Sequence, residues 1–277
     1  MSSNLVGATA AIYSYKNFDH VDLEEMTILV TAILTSVIAT AFISGVLSLG
    51  GGSILMGIFG WILPISTAMI LHGVTQAAAN ASRSWIYREH IKWGILGYYF
   101  IGAIICIGVF SWLAFVPNKP ILFLCLGVLP FIHIFLPRGC ALDINQSGNA
   151  VSCGFLVSAS LLVAGVSGPI LDIYYVKTSL TRFQIHATKG LTQSIGHAVK
   201  VAYFVIILEL MEDDPGILPI WVFIAVIPLA YLGSMASRRI LNAMKDQQFK
   251  KYTQTATMII GSIFLVKGIQ LLLDSIT

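Results

Sequence analysis

His72, Gln76, Asn80 and Arg83 are spaced four, four and three residues apart, and Lys189, Gln193, His197 and Lys200 repeat the same steps. On a helix each set falls on one face. Two otherwise apolar helices therefore carry one polar stripe each, with cationic groups in both. Amides hydrogen-bond oxygens without a full charge, lysine and arginine attract anions, and histidine takes a proton near neutral pH. Such stripes suit a small oxyanion. They lie in a repeated stretch: Gly73-Val74-Thr75-Gln76 recurs as Gly190-Leu191-Thr192-Gln193, with Ala77 matched by Ser194 and Arg83 by Lys200.

Polar stripes mean most where their surroundings are apolar. The chain has 277 residues, 57% of them hydrophobic and 10% charged, against roughly 25% charged in soluble domains. Apolar runs long enough for a hydrocarbon core of about 30 Å recur along it, which makes it a multi-pass integral membrane protein in contact with lipid. The net charge of +3 comes without a basic cluster, so nucleic acid is not an expected partner. No phosphate-binding Gly-x-x-x-x-Gly-Lys-Ser/Thr loop is present, so the chain does not itself burn ATP. Residues 1–25 are polar and mildly acidic, unlike a cleaved leader, and read as an extracytoplasmic segment. Cys106, Cys125, Cys140 and Cys153 form no Cys-x-x-Cys pair and read as packing residues. No cofactor and no metal site is expected.

The elements positioning the stripes occur twice in one order. A helix over about 26–49 meets Gly50-Gly51-Gly52, a short segment runs to Pro64, the first stripe helix covers about 65–87, and plain spans follow at about 93–116 and 120–136. After a loop at 138–148, a helix over about 150–164 breaks at Gly165-Val166-Ser167-Gly168-Pro169. A short segment, the second stripe helix (about 183–210) and spans at about 217–236 and 252–273 complete the pattern. This predicts an all-α fold of two repeats, 26–137 and 149–277, joined by the linker 138–148. Basic residues gather at 83–92, at Arg138 and at 238–251, whereas 212–214 is acidic. Basic loops face the cytoplasm, which places the N-terminus and the 212–216 loop outside. The repeats are then inverted, each a broken, re-entrant helix pair plus three transmembrane helices. A full crossing by the first helix fits the charges nearly as well.

Ser44-Gly45-Val46-Leu47-Ser48-Leu49-Gly50-Gly51-Gly52, followed by the short segment to Pro64, resembles the glycine-rich signature of the TauE/SafE sulfite-exporter family. Ala164-Gly165-Val166-Ser167-Gly168-Pro169 resembles its second copy in degraded form. The resemblance spans roughly 26–273 and implies a duplicated membrane domain. It also implies export of sulfite, sulfonates or related small sulfur anions across the cell (inner) membrane.

The residues themselves point to a binding site at the breaks. Irregular backbone at membrane depth needs protein or a watery cavity to cover it, and the segments starting at Ser53 and after Pro169 offer free N–H groups and positive dipole ends. Gly51, Gly52 and Gly168 allow close approach, and Ser44, Ser48, Ser53, Ser167 and Thr192 add hydroxyls. Gln76 and Gln193 lie about midway through their helices, with Asn80 nearby. Lys189 either meets the anion or pairs with Asp172 or a helix end; Arg83 either anchors the helix or attracts anions, and Lys200 lies deeper. His72, His197 and Asp172 are candidates for carrying a coupled proton, while His133 reads as a packing residue. The expected function is a secondary transporter, not an enzyme, working by alternating access; a homodimer is an allowed assembly. Two alternatives stand beside it: a passive anion channel, and an intramembrane protease using Ser167 of Gly165-Val166-Ser167-Gly168 with His186 or His197.

Overall fold

Apolar helix formers in long runs satisfy their own backbone, as a hydrocarbon surrounding demands, and every regular element among the described residues is helical. The computed structural model describes residues 23–47, 51–132, 142–175, 178–211, 218–243 and 246–276, without the side chains at 45–47, 83, 86, 182, 186, 207–211, 238–243, 246–254 and 257. Expectations on residues 1–22, Ser48, His133, Cys140, residues 138–141 of the linker and the acidic 212–214 loop lie outside the described residues.

In chain order the first five helices are α1 (Leu23–Leu47), α2 (Gly51–Ile62), α3 (Ile65–Ile86), α4 (Trp93–Leu113) and α5 (Lys119–Val128). The next five are α6 (Ser147–Ala164), α7 (Gly168–Tyr175), α8 (Arg182–Met211), α9 (Ile220–Ala243) and α10 (Asp246–Asp274). Local signals set several boundaries. Pro64 precedes α3, where a missing N–H costs nothing. Asn118 caps α5 by accepting from the Ile121 N–H at 2.9 Å. Gly165, at φ +73°, ends α6 in the left-handed conformation that glycine adopts without strain. The second half runs long, short, stripe, long, long; the first half follows the same order, except that its last helix, α5, has 10 described residues.

α3 and α8, the stripe helices, form the most extensive interface. They run antiparallel, and small residues let them meet closely. A methyl group on Gly73 would come within 3.2 Å of the His197 carbonyl and of Lys200 Cε, and one on Gly190 within 3.3 Å of the Asn80 carbonyl and Ser84. Each repeat's glycine thus packs against the other repeat's stripe. Midway, the Ser194 hydroxyl donates to the Ala77 carbonyl at 2.9 Å, joining two positions that correspond in the repeats. Ser84 donates to the Ala187 carbonyl at 3.0 Å.

The flanking helices exchange in the same reciprocal way. α4 of the first half packs on α6 of the second, α9 of the second on α1 of the first, and α5 on α10. Gly102 and Gly154 set the α4–α6 contact: a methyl on either would run into the carbonyl of Val151 or Tyr99 across the interface.

Among the described residues, four helices are long and apolar enough to cross a membrane: Leu23–Ser44, Trp93–Leu113, Ser147–Ala164 and Ile220–Ser237. Trp61, Trp85, Trp93, Trp112 and Trp221 are all exposed near helix ends, where interfacial belts form. The Lys267 ammonium lies 4.6 Å from the centre of the Trp61 ring, a cation–π contact tying α10 to α2. Cys106 and Cys153 are buried and unbridged, and Cys125 is half-buried, the packing role expected of them.

Candidate functional site

Antiparallel packing brings unlike stripe positions together. His72 corresponds to Lys189 in the repeat, yet it meets Lys200: His72 Nδ1 lies 3.1 Å from Lys200 Nζ. The other ring nitrogen, Nε2, lies 2.9 Å from the Gly52 carbonyl in the first turn of α2, and Lys200 Nζ donates to the Gly165 carbonyl at 3.2 Å. One chain of polar contacts therefore joins the two glycine breaks through the stripe helices. His197 stands beside it, its ring 5.4 Å from that of His72. His72 is 0% exposed and Lys200 1%.

Lys200 is unusual in what surrounds it. Among the described residues one ion pair occurs, between Lys189 and Asp172, so Lys200 has no described carboxylate within reach. Charges at such depth are costly without a partner. Nearby, Ser167 follows the break at 1% exposure, its hydroxyl unpartnered. The adjoining Gly168, at the start of α7, has open space where a side chain would stand.

Gln76 and Gln193 are half-buried. Gly52 is the residue that makes room for the first: a methyl group there would touch the Gln76 amide at 3.5 Å. The Gln76 carbonyl accepts from Asn80 Nδ2 at 2.8 Å, which spends the Asn80 amide locally. Gly51 packs hard against Thr40 and Ser44 of α1, so it positions α2 and leaves the open face to Gly52 and half-buried Ser53.

Lys189 takes the second of its two expected roles. It forms a hydrogen-bonded pair with Asp172 of α7, about 16 Å along α8 from Lys200 at 1.5 Å per residue. Thr192 donates to the Lys189 carbonyl at 2.9 Å, so its hydroxyl is also spent within the helix. Asp172 is the lysine's ion-pair partner in this structure. Breaking the pair leaves one charge uncompensated. The double variant Lys189→Met with Asp172→Asn should be destabilised by less than the sum of the two single variants, with a coupling of about 1 kcal/mol in a detergent-unfolding double-mutant cycle.

The expected anion and proton groups thus separate into two clusters. His72, Gln76, His197, Lys200 and the two breaks gather at one level, and Lys189 with Asp172 at the other. The side chain of Arg83 and residue Ser48 lie outside the described residues. Ser167 makes no hydrogen bond to a described histidine; the dyad expected of a protease is absent among the described side chains. Sequence reasoning missed the Gly52 and Gly165 carbonyls, which hold His72 and Lys200. The glycines flagged the breaks, but no residue type announces which carbonyl a distant side chain will reach.

A family profile described as "Sulfite exporter TauE/SafE" matches residues 32–264. No curated protein and no solved structure matches the chain.

Proposed function

From the premise that the chain belongs to the sulfite exporter TauE/SafE family, we propose that it exports small sulfur-containing anions, sulfite or organosulfonates, across the cell membrane by alternating access. The observation that carries the site is the pair of glutamines. Neither the Gln76 nor the Gln193 side-chain amide is engaged in a hydrogen bond among the described residues, yet both sit half-buried on the two helices that cross at the centre. An amide so placed, with no protein partner among the described residues, is available to a ligand. Two neutral donors hold a sulfite oxygen without trapping it. Ser53, Ser167 and the first N–H groups of α2 and α7 add donors from the breaks, and Ser44 lines the approach.

The same contacts support two inverted repeats, 26–137 and 149–277, linked by 138–148. Equivalent helices that cross antiparallel are related by an axis perpendicular to both; for helices that span the bilayer, that axis lies in the membrane plane. Reciprocal α4–α6 and α9–α1 packing obeys the same exchange. At 25 residues, or about 37 Å, α1 can cross the bilayer alone, which favours a full crossing over a re-entrant arm. At 12 residues, or about 18 Å, α2 returns only part of the way. Segment 1–25 then starts outside, with the basic loops in the cytoplasm. Transport follows if the repeats rock about the crossing, so that the central site opens to one side at a time.

Ser167→Ala tests this reading against catalysis at the same residue. In vesicles loaded with sulfite, efflux should fall several-fold yet persist, because other donors remain. Complete loss of activity, accompanied by a peptide-cleaving activity in the wild type that the variant lacks, would overturn the transporter assignment.

A further inference from the structure

We propose that Lys200 and His72 together form a proton site of capacity one, so that each singly charged anion crosses with one proton and transport is electroneutral. This rests on the anion site proposed above. The polarity of the contact chain carries it. Carbonyl oxygens only accept, so the Gly52 carbonyl, 2.9 Å away, takes a hydrogen from His72 Nε2. Neutral His72 then turns the lone pair of Nδ1 to Lys200, and Nζ, 3.1 Å distant, is the donor. Lys200 Nζ also donates to the Gly165 carbonyl at 3.2 Å. As an amine, Lys200 supplies both of those hydrogens; as an ammonium it has a third, which those two acceptors do not use.

Only one extra proton fits. A second, on His72 Nδ1, would set two N–H donors and two positive charges face to face at 3.1 Å. The single proton can pass along the contact: the Nζ–H bond breaks, an Nδ1–H bond forms, and the pair keeps one positive charge throughout. Among the described residues nothing around it substitutes for an anion. From α3 the facing titratable group is His72, and on α8 itself it is His197, with its ring 5.4 Å from His72. Lys189, farther along α8, is held by Asp172 of α7. α2, α4 and α6 present no charged side chain. Tyr99 of α4 is the one titratable neighbour across the pocket of about 80 Å³ that Lys200 borders, whose lining is otherwise apolar apart from Ser158. An ammonium here is uncompensated until an anion arrives, so proton and anion are favoured together. The chain of contacts ends on both breaks, at the Gly52 and Gly165 carbonyls.

The test uses methanesulfonate, whose single charge does not titrate near neutral pH, in liposomes holding the full-length protein. In the wild type a pH gradient should drive its accumulation, a valinomycin-set potential alone should not, and a pH dye should count one proton per labelled anion. Lys200→Met should cut the gradient response at least tenfold, and the residual flux should follow the potential. A wild type driven by potential, or a variant that keeps the gradient response, overturns the proposal. A second readout needs no substrate. The ¹⁵N resonances of His72 should report an Nε2–H tautomer that resists a second ring proton on mild acidification, whereas in Lys200→Met that proton should add. If His72 titrates identically in both proteins, the proton site is wrong. If it behaves as expected but neither methanesulfonate nor sulfite moves, the proton site stands and the anion assignment falls.

Discussion

Alanine at Gln76 or at Gln193 lowers the initial rate of sulfite transport by an order of magnitude or more, equivalent to about 1.4 kcal/mol of lost stabilisation, while alanine at His133 leaves the rate near that of the wild type. The two amides are half-buried on the crossing helices. No hydrogen bond to either amide occurs among the described residues, so in the proposed site their removal costs binding rather than packing. In the empty protein no hydrogen bond is lost, and folded yield and melting temperature should barely change. The loss should appear in both single variants, because the repeats place one amide on each stripe. Equal losses at Gln76, Gln193 and His133, read in sulfite-loaded liposomes at matched protein density, would remove the basis for a paired site.

Gly102→Ala removes most of the folded protein, whereas Gly52→Ala leaves it folded but slow. The contrast separates two uses of glycine. At Gly102 a methyl group runs into the Val151 carbonyl of α6 and comes within 2.8 Å of the Phe155 nitrogen. Backbone atoms of a packed helix cannot swing aside, so α4 and α6 must separate, at about 3 kcal/mol or more. At Gly52 the same methyl reaches only ordinary contact, 3.5 Å from the Gln76 amide. Stability then holds, and the crowded group is the one proposed to meet the anion; transport falls several-fold. Gly108, with open space around it, is the neutral control. Melting curves in detergent read the first effect and liposome flux the second. A Gly102→Ala protein as stable as Gly108→Ala would contradict the close α4–α6 packing.

Much of the fold was legible because membranes simplify the code. Long apolar runs can only become helices there, and the positions of Gly50–Gly52, Pro64 and Gly165–Pro169 marked their interruptions to within a few residues. The stripes at 72–83 and 189–200 fell on α3 and α8 for the same reason: helical period alone groups residues four and three apart. What periodicity could not reveal was the pairing between helices. Aligning the repeats matches His72 with Lys189, but an antiparallel crossing brings His72 to Lys200, because exchange of equivalents places the start of one stripe against the end of the other. The fate of each lysine was equally hidden. Lys189 finds Asp172 and Lys200 finds two carbonyl-linked contacts, and that difference arises from long-range geometry, not from the residue type or its neighbours in sequence.

The most direct measurement of the central claim is anion flux into liposomes holding the purified protein, with sulfite, sulfoacetate and chloride compared with and without a pH gradient. An exporter working by alternating access predicts sulfite flux that saturates, responds to the gradient and exceeds chloride flux by an order of magnitude or more. Fast flux of all three anions that neither saturates nor heeds the gradient would contradict it and identify an open channel.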